Sequence, residues 1–201
     1  MEHTRLNDSD LAQSMPSALQ QSGTASRTYT GKTLVLAEST NWSIVRLRSN
    51  ESIPGLPDET GQCSGGDPVT LCLRPGEWLS LSKILTPQQV RSELMSLALP
   101  PLATAYDNTH GLAVFRLQGS GAPWLLSKLS GLDYLAGVNS GTRCAQTRMA
   151  HISVLVYFHE NGAGDSVFDL LLDRSYARYY WELLLASAPH ADELASTSPH
   201  Y

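Results

Sequence analysis

Between residues 33 and 185 the chain switches repeatedly between the two hydrophobic periods that build sheets and helices. Residues 33–37 and 43–48 read as strands, the second alternating apolar and polar positions around a turn-like Glu-Ser-Thr-Asn. Residues 69–73 and 77–82 bracket Arg74-Pro75-Gly76, which predicts a hairpin or a bent strand. Thr86-Pro-Gln-Gln89 then combines a capping hydroxyl, a Pro at the first helical position and a Gln three residues past the cap. Val90, Leu94 and Leu97 follow at i, i+4 and i+7, so a helix with one apolar face runs to Pro100-Pro101.

The second half repeats the theme. A strand over 112–117 turns at Gly119-Ser-Gly121 into a helix whose Trp124, Leu125 and Leu129 form a buried face. Strands are expected over 143–149, 152–158 and 167–172, with a hairpin turn at residues 160–165. A last helix should run from about Tyr176 to Ala188 with Ser175 as its cap. This alternation predicts one α+β domain over residues 31–188, with helices packed on an antiparallel or mixed sheet. Residues 1–30 are polar and aperiodic and read as a flexible N-terminal tail; residues 189–201, opening on Pro189, read as a flexible C-terminal tail. Residues 51–68, with three Gly and two Pro in 54–65 alone, read as a long surface loop of the kind that contacts partners.

Composition narrows the function classes. A net charge of −5, from 14 basic and 19 acidic residues without a basic cluster, argues against a nucleic-acid partner. The N-terminus lacks the pattern of an export signal, and the apolar runs are strand-sized, so a cytoplasmic protein with no membrane contact is expected. Cys63, Cys72 and Cys144 show no CxxC spacing and read as reduced thiols. The six histidines show no HxxxH or HExxH pair, so no metal site is expected. His110 and His151 sit beside strands as structural imidazoles, and Cys144 reads as a small buried hydrophobe. The glycines at 162 and 164 open no helix, and Gly65-Gly-Asp67 lacks the Lys-Ser/Thr of a phosphate loop. Glu77, Asp107, Asp133, Asp165, Asp169 and Asp173 lie near strand ends and read as solvated or capping acids.

No catalytic, cofactor-binding or metal residue is therefore assigned. One segment stands out instead: Tyr176-Ala-Arg-Tyr-Tyr-Trp-Glu-Leu-Leu-Leu185 is apolar and aromatic on nearly every side. Tyr176, Arg178, Tyr179, Tyr180 and Trp181 are the candidate interface, because aromatics and Arg concentrate binding energy.

Gly76-Glu-Trp-Leu79, the segment from Asp107 to Gly119, Cys144-Ala-Gln-Thr147 and the strand-to-helix segment from Phe168 to Trp181 together resemble the gamma subunit of heterotetrameric sarcosine oxidase, over roughly residues 31–188. The resemblance implies the fold of the folate-binding domain of glycine-cleavage aminomethyltransferases. It also implies a small, non-catalytic structural subunit that packs mainly against alpha in a complex with beta and delta. That complex oxidises sarcosine to glycine, with formaldehyde or methylene-tetrahydrofolate and hydrogen peroxide as co-products. FAD, FMN, NAD and tetrahydrofolate would sit in the partner subunits, none on this chain. The Gly-Gly-x-x-Asp-Asp segment of the aminomethyltransferases has no match after Gly119. The alternative is a stand-alone folate-binding, aminomethyltransferase-like protein using Asp107 and Arg116; a third reading is an interaction module of a related amine oxidase.

Overall fold

A computed structural model describes residues 16–24, 27–134, 143–161 and 166–197. Among them lie ten strands in two fully antiparallel sheets. The large sheet has the order β1-β2-β7-β10-β9-β8, from Thr28–Thr30, Val35–Glu38, Leu112–Gln118, Ser166–Asp173, Ile152–Glu160 and Cys144–Met149. The small sheet has the order β4-β5-β3-β6, from Val69–Arg74, Glu77–Ser82, Ser43–Arg48 and Thr104–Asp107. Its strands all come from the chain between β2 and β7, so the small sheet is an insertion into the large one. The expected single sheet is thus two.

Strand alternation explains the layering, because successive side chains leave opposite faces. Phe115, Leu117, Val156, Phe158, Phe168 and Leu170 point to one side of the large sheet, against the helices α1 (Ala18–Gln21), α3 (Ala122–Leu129) and α4 (Ala177–Thr197). Val114, Leu155 and Leu171 point to the other, against Ile44, Leu71, Leu79 and Leu81 of the small sheet. The outer face of the small sheet, with Val45, Leu47 and Trp78, is closed by Val90 and Leu94 of α2 (Pro87–Met95). The layers therefore run helices, large sheet, small sheet, helix.

Several local expectations hold. In α2 the Thr86 hydroxyl accepts from the Gln89 amide (3.3 Å) while Gln89 Oε1 accepts from the Thr86 amide (2.8 Å), a reciprocal cap. The β4–β5 hairpin turns at Gly76, whose φ of +81° and 2.4 Å clearance from a built Cβ to the Ser49 carbonyl leave room for glycine alone. The cap of the last helical segment is Asp173 rather than Ser175. Its carboxylate accepts from the Ser175 amide (2.9 Å) and opens a 3-10 turn, Arg174–Tyr176, ahead of α4.

Both tail boundaries need correction. Within the expected N-terminal tail, α1 and β1 are formed, and Leu19 is fully buried beneath the large sheet's helices. Glu38 holds α1 in place, accepting from the Leu19 amide (3.1 Å) and the Ser17 hydroxyl (2.7 Å). At the other end α4 continues through Pro189 to Thr197. Proline forfeits one backbone hydrogen bond. Burial of Ala188, Ala191 and Ala195 and the anchoring of Asp192 outweigh that loss, since Asp192 accepts from the amides of Lys32 (2.8 Å) and Thr33 (2.5 Å) and from the Thr33 hydroxyl (2.7 Å). The loop over 51–68 folds back rather than hanging free: Ile53 is buried, and Trp78 donates to the Pro57 carbonyl at 2.6 Å.

Candidate functional site

The α4 stripe decides which aromatics can meet a partner. Ala177, Tyr180, Trp181, Leu184, Ala188, Ala191 and Ala195 follow the three-and-four spacing of one helix face and are all buried. Trp181 lies 5.4 Å from the Phe115 ring, Tyr180 stacks at 6.3 Å on the same ring, and the Tyr180 hydroxyl donates to Met149 Sδ. These two candidate interface residues therefore belong to the core, a correction to the sequence reading. Truncating Trp181 would cost about 3–5 kcal/mol of stability. Off the stripe, Tyr176 and Tyr179 stay 50% and 53% exposed, beside Arg178, which pairs with Glu182 across one helical turn at 2.9 Å. Tyr176, Arg178 and Tyr179 are the part of the predicted interface that the fold leaves accessible.

A second group lies on the inner face of the large sheet, where sequence gave only solvated acids. Asp169 on β10 stands directly across from Arg116 on β7 and from Tyr157 on β9. Its carboxylate is fully buried and accepts from Arg116 Nε (2.8 Å) and Nη2 (2.7 Å), a bidentate pair, with His159 Nε2 2.9 Å away. Burial alone would raise its pKa; the bonds from His159 and Arg116 outweigh it and hold the group below the ordinary carboxylate range. Beside this node Trp42 carries Lys83 Nζ at 4.7 Å and the Arg116 guanidinium at 5.8 Å from its ring centre. Ser39, buried, accepts from Trp42 Nε1 (3.0 Å) and from Lys83 Nζ (2.9 Å). The sequence signal was a charge breaking an apolar run, Arg116 in Leu-Ala-Val-Phe-Arg-Leu and Asp169 in Val-Phe-Asp-Leu-Leu-Leu.

Ser39 and Trp42 also wall an open cleft of about 960 Å³ between the sheets' ends, shared with Arg27, Arg91, Asp107 and His110. Asp107 there accepts from the Thr109 amide at 2.8 Å, a capping role. Arg116 gives Nε and Nη2 to Asp169, and no contact joins it to Asp107, the other residue of the alternative reading, among the described residues. Cys144 is buried, and its thiol is pushed up to about 12, by burial first and by Cys63 and Cys72 next, far from a reactive thiolate. His151 is exposed at a turn with φ of +70°. Glu77 is buried under Arg46, Arg48 and Arg74, at 2.8, 3.0 and 2.7 Å. Asp165, Gly162 and Gly164 lie outside the described residues. Among those described, no group of three His, Cys, Asp or Glu side chains could hold a metal ion, and no helix is long and apolar enough to cross a membrane.

No protein-family model and no curated protein matches the sequence. Among solved structures the chain is similar to one chain of the heterotetrameric sarcosine oxidase from Corynebacterium sp. U-96 in complex with pyrrole 2-carboxylate. The two superpose with a TM-score of 0.70 at 19% identity, over 89% of this chain and 96% of that one. The α+β architecture described above, two antiparallel sheets with their helices, is therefore the fold of a sarcosine oxidase subunit.

Proposed function

We propose that this chain is the small, gamma-type structural subunit of a heterotetrameric sarcosine oxidase and carries no reactive centre itself. The observation that carries the reading is the two-way coverage of the fold match, 89% of this chain and 96% of the other. The motif series from Gly76 to Trp181 supports the same assignment from the sequence side. On this reading the flavin, nicotinamide and folate sites belong to the larger subunits. Those subunits oxidise sarcosine to glycine, while this chain braces alpha in the cytoplasm. The exposed shoulder of α4, Tyr176, Arg178 and Tyr179, is the contact we assign to alpha, since two half-exposed tyrosines flanking an arginine supply rigid, amphipathic anchors.

Coexpression with the large subunits encoded in the same genome tests this. The chain is expected to copurify with them, and its omission to lower the activity or the thermal stability of the complex. Elution alone, together with full activity of the complex lacking it, would refute the assignment. Serine at both Tyr176 and Tyr179 should weaken copurification about tenfold or more while leaving the unfolding midpoint of the free chain nearly unchanged. The cleft is the one observation favouring the folate-binding alternative, and submillimolar binding of tetrahydrofolate to the isolated chain by calorimetry would select it.

A further inference from the structure

The donors around Trp42 outnumber the acceptors that the described residues provide. Arg116 spends Nε and Nη2 on Asp169, which leaves Nη1 with no partner among the described residues. Lys83 Nζ has three hydrogens and one acceptor among the described residues, the Ser39 hydroxyl. Ser39 Oγ already receives two hydrogen bonds, from Lys83 and Trp42, so both its lone pairs are engaged and its own proton must be donated. No acceptor for that proton is found among the described residues, although Ser39 is only 8% exposed. A buried hydroxyl in this state calls for an incoming oxygen.

Charge points the same way. Lys83 and Arg116 lie close enough for Arg116 to depress the lysine's affinity for its proton, after the effect of burial, while Asp169 acts in the opposite sense. Two cations thus face one carboxylate, and a single positive charge is left over beside an aromatic ring that itself faces both cations. Asp169 cannot turn toward Lys83 without abandoning its bidentate pair with Arg116. The chain as a whole is acidic, at −5, so this surplus is local.

We propose that Lys83 Nζ, the Ser39 hydroxyl and Arg116 Nη1 form a seat for the carboxylate of a small organic acid, entered from the cleft that Ser39 and Trp42 wall. A carboxylate matches on charge, since one negative charge cancels the surplus, whereas a phosphate dianion would overcompensate it. It also matches on acceptors, because two oxygens take up the three waiting donors. The site is independent of the proposed assembly, being complete within this chain.

Calorimetric titration of the full-length chain with benzoate, benzamide and inorganic phosphate tests the proposal. Saturable benzoate binding is expected, with benzamide, the same shape without charge, failing to bind. Lys83→Gln should weaken benzoate about tenfold or more, and Ser39→Ala about threefold. Circular dichroism on both variants separates loss of the seat from loss of the fold, and because Lys83 lies at the surface the first variant should fold normally. Equal binding of benzamide, tighter binding of phosphate, or an unchanged affinity in Lys83→Gln would each overturn the assignment. Loss of benzoate binding in the copurified complex would also overturn it, because a seat complete within this chain must stay open on assembly.

Discussion

Glu77 and Asp169 are both carboxylates sunk into β-strands, one in each sheet, and they are neutralised in different ways. Glu77 sits at the hairpin end of β5 under three arginines, two of them largely in water, with side-chain exposures of 52% for Arg48 and 68% for Arg74. The third, Arg46, gives Nη1 to the carboxylate but keeps a buried Nε with no partner among the described residues. Asp169 lies mid-sheet with no exposure at all and two partners that are themselves three-quarters covered. Solvent can replace much of what surrounds Glu77. Nothing can replace Arg116 and His159 around Asp169, where low dielectric strengthens each bond and raises the cost of leaving one unmade.

The contrast is sharpest for outright removal. Asp169→Ala should destabilise the chain by about 2–4 kcal/mol in denaturant unfolding, because it strands a guanidinium that is three-quarters covered. A loss below about 1 kcal/mol would mean that water replaces Asp169 around Arg116 as readily as it replaces Glu77 and that the two nodes are equivalent. Glu77→Ala should cost about 1–2 kcal/mol, since mutual repulsion of three arginines near solvent is screened. Raising the salt to about 1 M should recover part of that loss and none of the loss in Asp169→Ala.

Acid titration gives a gentler version of the same test. Both carboxylates have folded pKa values below their unfolded ones: burial opposes ionisation, and the arginines, with His159 for Asp169, outweigh it. A depressed pKa means stability that is complete above the unfolded value, about 3.9–4.3, and is lost as pH falls through the folded one. Unfolding free energy should therefore decline below about pH 4, and Asp169→Asn should flatten that decline because the proton-linked group is gone. A wild-type profile with the same slope as Asp169→Asn would remove Asp169 from the account. Smallest of all, Arg74→Ala should change stability by less than about 0.5 kcal/mol, as an exposed member of an arginine set that remains charged without it.

The period-two strands, the reciprocal cap on α2 and the hairpin at Gly76 could be read from sequence because each is a local rule satisfied by neighbouring residues. Strand adjacency is not local. Nothing in Leu112 to Gln118 announces that β7 lies between β2 and β10, and without that adjacency Arg116 and Asp169 are two unrelated charges. The same gap hid β6, whose Thr104–Asp107 has too little apolar character to signal a strand but pairs along β3. For α4 the density of aromatics was legible and their sorting was not. Tyr179 and Tyr180 differ by one position, about 100° of helical rotation, and that rotation puts one ring in water and the other in the core. Pro189 misled for a related reason: its intrinsic penalty is visible in sequence, whereas the acceptor role of Asp192 toward Lys32 and Thr33 depends on a contact 159 and 160 residues away.

That clasp between Asp192 and the start of β2 has a temporal side. During synthesis every strand of the inserted sheet has emerged by Asp107, so its four strands can pair early. The large sheet must wait, since β10 and the anchoring turn of α4 are synthesised only after the inserted sheet is complete. Until then the apolar face that awaits α4, including Phe115 and Leu117, is bare to water. The growing polypeptide is thus most exposed to aggregation in the interval between the synthesis of β7 and that of α4.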